Sequence, residues 1–164
     1  MTKRVLFVCM GNICRSPAGE AVMKRFAEEF GLDVDVDSAG THGYHVGEIA
    51  DARMMAAAEV RGYELTSRAR QVTPKDLQPG VFDLVLAMDN SNYEALISMA
   101  GQSAPHIRIF SDYLDDSWPN DVPDPYYGGA EGFDEVLDML EEGCPIILET
   151  LAGETIFDDE FEET

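Results

Sequence analysis

The stretch VLFVCMGNICRSPAGEAV, Val5 to Val22, decides the fold. It opens on a short continuous apolar run, the pattern of a strand buried on both faces, which we place at Arg4–Cys9. A small, polar turn follows, and it closes on Arg15. Ser16 and Pro17 then read as an N-cap and first-position proline opening a helix. Ala18, Ala21, Val22, Phe26 and Phe30 trace that helix's buried side, and Gly31 ends it. A loop between a strand and a helix N-terminus meets free N–H groups and the positive end of a helix dipole. Curled tightly, its own N–H groups converge on a phosphate-sized anion. Gly11 and Asn12 are residue types that tolerate a positive φ in such a curl. Arg15 can add a planar fork to two phosphate oxygens. The nucleotide-binding pattern GxxxxGK[ST] is absent. The same surroundings favour thiolate over thiol at Cys9, directly below a bound phosphorus, and Ser16 is within reach to hydrogen-bond that sulfur.

Outward from this stretch, strand and helix patterns alternate. DVDVDSAG, ending at Gly40, has period two, with valines inward and aspartates wet. Asp51–Gly62 reads as a helix, and Thr73-Pro74 as the start of a short one. Phe82–Met88 is a second buried strand of the Arg4–Cys9 type, Asp89 caps a helix to about Ala100, and His106–Phe110 is a fourth strand. A long loop, Ser111 to Ala130, precedes a last helix with Phe133, Val136, Leu137, Leu140, Cys144, Ile147, Leu148 and Leu151 on one stripe. Gly143 and Pro145 predict a kink or break there. The order is that of an α/β single domain: a four-stranded parallel sheet with helices on both faces and the phosphate-binding loop between strand 1 and helix 1. In such sheets ligands sit beyond the carboxyl ends of the strands, where Cys9–Arg15 and Ser38–Gly40 lie. Residues 1–155 form this domain, and 156–164 an acidic tail expected to be disordered.

At 164 residues the chain can bury a core without disulfides or metal. Its formal charge of −21 reads as solubility and argues against nucleic acid and anionic membrane as partners. No apolar run has the length of a membrane span, and Met1–Arg4 leads into a strand rather than a signal peptide. The cysteines, Cys9, Cys14 and Cys144, are odd in number, which points to free thiols in a reducing, cytoplasmic compartment. No histidine has zinc-ligand spacing with a cysteine, and neither metal nor cofactor is expected.

A bare C-x5-R is common by chance; its context is not. VCMGNICRSP resembles the signature of the low-molecular-weight protein tyrosine phosphatases. DSAGT (Asp37–Thr41), HVGEIADAR (His45–Arg53), ARQVTPKDL (Ala69–Leu77), VLAMDNSN (Val85–Asn92) and PDPYYGG (Pro123–Gly129) are similar to that family's further motifs, in order and at its spacing. The likeness runs from Lys3 to about Leu151.

The resemblance implies a two-step phosphoryl transfer. Cys9 attacks phosphorus, and water hydrolyses the cysteinyl-phosphate. Arg15 and the N–H groups of the loop Met10, Gly11, Asn12, Ile13, Cys14, Arg15 hold the phosphate oxygens. The leaving phenolate needs a proton. The family pattern assigns that to Asp124, although Asp-Pro by itself is a common turn dipeptide; Asp121 is the second candidate. Tyr44, Tyr126 and Tyr127 form the substrate wall, with either member of the Tyr126-Tyr127 pair open to a purely packing role. Asn12, Ser16 and Ser38 support the loop. Ser67 stands where the family usually has a histidine of that network. Asp51 and Arg53 match a structural ion pair.

Cys14 is either a small buried residue or, as the family suggests, a redox partner of Cys9; Cys144 reads as core. Ile13 occupies a position where phosphoarginine-hydrolysing relatives carry threonine, which favours phosphotyrosine. The implied partners are phosphotyrosine proteins, with inorganic phosphate and vanadate as inhibitors. An arsenate-reductase-like activity would need a further cysteine pair near mid-chain, and positions 70–100 have none. An inactive phosphate-binding module is the remaining alternative.

Overall fold

β1 (Lys3–Cys9) is the centre of the sheet because both its faces are apolar: Val5, Leu6, Phe7 and Val8 are all fully buried. The computed structural model describes residues 2–126 and 128–163, with the backbone alone for 154–163. Tyr127 and the side chains of the expected tail at 156–164 lie outside the described residues. β2 (Val34–Gly40), β3 (Leu84–Ala87) and β4 (Ile107–Ile109) complete a parallel sheet in the order β2-β1-β3-β4. The register pairs Cys9 with Gly40 and Val8 with Ala87.

Alternation along β1 divides the core. Val5 and Phe7 face α1 (Arg15–Phe30), α2 (Ala52–Val60) and α4 (Glu131–Glu163). Leu6 and Val8 face α3 (Asn90–Ala100) and the short 3-10 turn Pro74–Leu77. From β1 the chain moves to β2 on one side, then crosses back to β3 on the other. The reversal leaves a crevice at the carboxyl ends of β1 and β3, and Cys9 and Asp89 both lie there.

Local expectations meet three corrections. α1 begins at Arg15, with Cys14 as its cap residue and no side-chain cap, so Ser16 and Pro17 lie inside the first turn. Of its expected buried side, Ala18 and Val22 are fully buried and Ala21 and Phe26 partly so, but Phe30 is 43% exposed, while Met23 and Ala27 are buried in addition. α4 continues through Gly143 and Pro145 as one helix. Its stripe from Phe133 to Leu148 is buried throughout, and that packing outweighs the hydrogen bond lost at Pro145.

Gly143 is explained by its neighbour. A Cβ there would lie 2.4 Å from Phe110 Cζ, in a fully buried ring that also packs on Phe7. Gly143→Ala therefore sets helix propensity, worth about 1 kcal/mol in alanine's favour, against overpacking of about 1–3 kcal/mol. We expect net destabilisation, read as a lower urea midpoint. A raised midpoint would show that the ring has room to move.

Candidate active site

The loop after β1 is shaped by bonds made outside it. The carbonyls of Cys9, Met10 and Ile13 accept N–H groups of Thr41, His42 and Asp51 at 2.9, 2.9 and 2.8 Å. In a trans peptide the N–H points opposite to the carbonyl. Pulling these carbonyls outward therefore turns the N–H groups of Met10, Gly11 and Cys14 inward, an arrangement of backbone suited to an anion. Gly40 lets β2 close on the loop: a Cβ there would lie 2.7 Å from the Met10 carbonyl oxygen.

Asn12 carries the bend. Among the described residues it is the one non-glycine with positive φ, at 57°. Both ends of its side chain are engaged: Oδ1 accepts the Arg70 N–H at 2.9 Å, and Nδ2 donates to Ser16 Oγ at 2.8 Å. Arg70 is itself clamped between Asp37 and Asp76, each at 3.0 Å. Burial pushes the Asp76 carboxyl up, but its bonds from Arg70 and Thr73 outweigh this and hold it below the ordinary value. The anchor on this side is thus the segment after Ser67, through a backbone N–H. Gly11 has no positive φ; it is small because His45 lies over it, with Cδ2 3.0 Å from where a Cβ would stand.

Asn12→Ala removes both bonds and leaves an L side chain in the left-handed region, which costs about 1–2 kcal/mol. We expect kcat to fall roughly 10- to 100-fold with a lower Tm. Asn12→Gly restores the backbone freedom only and should fall between. Equal values for the two variants would mean that the bonds, rather than the φ, carry the effect.

Cys9 sits at the loop's foot, 3% exposed. Its Sγ receives the Asn12 N–H at 3.3 Å and lies 3.0 Å from Ser16 Oγ. Ser16 Oγ accepts from Asn12, and its one proton has two acceptors in reach, the sulfur at 3.0 Å and the Ala39 carbonyl at 3.4 Å. Ser38 is not part of this contact set; its hydroxyl donates to the buried Glu20 on α1 at 2.7 Å. The Cys14 thiol is also buried, and burial, aided by Asp51, Cys9 and Asp124, pushes its pKa well up.

Arg15 reaches across the crevice with 2% of its surface exposed. Nη1 donates to Asp89 Oδ2 at 2.6 Å and to the Val122 carbonyl at 3.0 Å, and Nη2 lies 3.7 Å from Asp124 Oδ2. Burial opposes its charge, but Cys9, Asp89 and Asp124 together raise its pKa further. Asp89 does two jobs, since Oδ1 also caps α3 through the Asn92 N–H at 2.7 Å. Val122, fully buried, fixes the long loop two residues before Asp124 by donating to the Met88 carbonyl at 2.9 Å. Asp124 Oδ1 accepts the Tyr126 N–H at 3.0 Å, leaving Oδ2 on the side of Arg15. Asp121 instead holds the first N–H of α3, from Asn90, at 2.9 Å.

These groups enclose a cleft of about 170 Å³ lined by Cys9, Met10, Gly11, Ile13, Cys14, Arg15 and Asp124, with Tyr44, His45 and Tyr126 at its walls. Tyr44 is 75% exposed and stacks on His42. Tyr126 is held between His45 and the Arg53 guanidinium, and Arg53 forms its expected pair with Asp51. Asp89, Val122 and His45 are the site residues that sequence reading missed. Asp89 had a signal, as the residue ending a strand at the point where strand order reverses. Val122 had none. Among the described residues no cluster is suited to hold a metal ion, and no helix is long and apolar enough to cross a membrane.

Residues 4–156 match the family described as low molecular weight phosphotyrosine protein phosphatase. A low molecular weight protein-tyrosine-phosphatase of Streptomyces coelicolor is 45% identical, over 86% of this chain and 88% of its own. The solved protein tyrosine phosphatase of Entamoeba histolytica, with Hepes in its active site, is 42% identical with a TM-score of 0.88, over 93% of this chain and 99% of its own. The YwlE arginine phosphatase of Bacillus subtilis, in a cysteine-to-serine mutant with a phosphorylated active site serine, is 30% identical with a TM-score of 0.81, over 91% and 95%.

Proposed function

The chain belongs to the low molecular weight phosphotyrosine protein phosphatase family, and on that premise we propose that it hydrolyses protein phosphotyrosine through a cysteinyl-phosphate on Cys9. Its relatives and structural neighbours include protein-tyrosine-phosphatases, which are hydrolases. One observation carries the reading: Cys9, the buried Arg15 and Asp124 line a single cleft.

The phosphate dianion enters the loop and takes the N–H groups and the Arg15 fork. Cys9 Sγ attacks phosphorus as the P–O bond to tyrosine breaks. Asp124 Oδ2 passes its proton to the leaving phenolate oxygen. In the second step water attacks phosphorus, Asp124 takes a proton from that water, and the S–P bond breaks. Ser16 Oγ, 3.0 Å from Sγ, steadies the departing sulfur. The products are tyrosine and inorganic phosphate, so phosphate and its analogue vanadate are inhibitors. Ile13, 8% exposed in the cleft wall, and the Tyr126 and Tyr44 rings suit an aryl group.

The test is hydrolysis of p-nitrophenyl phosphate, a phosphotyrosine peptide and a phosphoarginine peptide, with acid quenching and mass analysis of the Cys9 peptide. Turnover of the first two, with a phosphoryl group on Cys9, is expected. An inert wild type would leave an inactive phosphate-binding module, and preference for phosphoarginine would overturn the tyrosine assignment.

A further inference from the structure

A second groove, of about 710 Å³, opens beside the cleft and shares Ile13, His45 and Tyr126 with it. Its far wall is the 47–52 segment together with Arg68. Ile49 and Arg68 face each other in an isolated antiparallel bridge. The Ile49 side chain is 56% exposed. Arg68 Nη1 donates to the Gly47 carbonyl at 2.9 Å, which fixes an exposed guanidinium at the rim.

The charges here are unevenly committed. Glu48 is turned to His45 Nδ1 at 2.7 Å, and Asp51 is held in the fork of Arg53. Arg68 has no ion pair with any carboxylate among the described residues. In a chain with 32 acidic and 11 basic residues, a fixed arginine without a carboxylate partner is out of balance with its surroundings. Its position is continuous with the cleft.

We propose that this groove seats the polypeptide flanking the substrate phosphotyrosine, with Arg68 pairing an acidic side chain of that segment and Ile49 giving it an apolar floor. The proposal rests on the phosphatase reading of the cleft. A peptide whose phosphotyrosine enters between Tyr44 and Tyr126 must leave along the surface, and the walls shared by Ile13, His45 and Tyr126 offer it that path. An exposed arginine–carboxylate pair is modest, and salt weakens it. Arg68 therefore selects among substrates rather than supplying most of their affinity.

The test uses phosphotyrosine peptides that differ only in carrying glutamate or lysine at successive positions on either side of the phosphotyrosine. The readout is kcat/KM for wild type, Arg68→Gln and Arg68→Glu, with p-nitrophenyl phosphate as the substrate that has no flanking chain. Wild type should favour the glutamate peptide about three- to fivefold at one or two positions. Arg68→Gln should erase that preference and Arg68→Glu reverse it, with p-nitrophenyl phosphate changing less than twofold and the preference fading in high salt. A wild type indifferent to flanking charge would overturn the proposal. So would an Arg68→Gln loss equal on all substrates, which would mean that Arg68 acts only by holding Gly47. A wild type inert toward p-nitrophenyl phosphate would instead overturn the phosphatase reading beneath it.

Discussion

Cys9→Ser should abolish turnover, lowering kcat by at least about 10⁴-fold, while phosphate and vanadate still bind. A serine oxygen carries its proton far more tightly than sulfur does, and the side chain bonded to Sγ among the described residues is Ser16 Oγ, a hydroxyl rather than a base. The anion cradle does not depend on the sulfur. Its N–H groups are aimed by the carbonyl bonds to Thr41, His42 and Asp51, and Arg15 is held by Asp89 and Val122. Phosphate inhibition constants for any residual activity, or vanadate affinity by calorimetry, should thus stay within a few fold of wild type. Retained turnover would refute the nucleophile assignment. Loss of anion binding together with turnover would show that Sγ also shapes the loop.

Asp124→Asn should lower kcat roughly 10²- to 10⁴-fold, by an amount that depends on the leaving group. Asparagine can keep the bond from the Tyr126 N–H through its carbonyl oxygen, so the loop should stay in place. What it lacks is a transferable proton. Phenyl phosphate, whose leaving group is basic, should suffer most, and p-nitrophenyl phosphate less. A loss equal across leaving groups would argue that Asp124 acts only through its approach to Arg15, 3.7 Å away. Asp121→Asn is the control. It weakens the bond to Asn90 at the start of α3, and we expect it to change stability more than leaving-group dependence.

The fold was legible because its signals are local. Apolar runs gave the sheet, and Asp51, Thr73 and Asp89 marked helix starts, where the Asp51 and Asp89 side chains accept N–H bonds and Thr73 donates its N–H and hydroxyl to Asp76. What failed to read was whatever depended on a distant partner. Ser16 looks like a cap by its neighbours in sequence, but its hydroxyl is drawn inward by Cys9 and Asn12. Gly143 looks like a breaker until Phe110, far away in sequence, is seen against it. Asp89 was legible as a cap from local pattern alone; that its second oxygen holds Arg15 follows from the sheet order. Choosing Asp124 over Asp121 rested on family likeness, since both stand in the same acidic, proline-containing loop. The structure adds a physical difference, with one carboxylate lining the cleft and the other bound to α3.

The outward carbonyls of the loop have a consequence for how such a protein can change. A pocket that grips its ligand with main chain, aimed from outside, is indifferent to most side chains mounted on it. Met10 and Ile13 face the cleft without having to hold phosphate. Replacing them alters which organic group fits above the phosphorus and leaves the grip below intact. The loop's fit to the organic group and its backbone geometry are carried on different atoms of the same six residues, so the choice of phosphoester can drift without a change in that geometry.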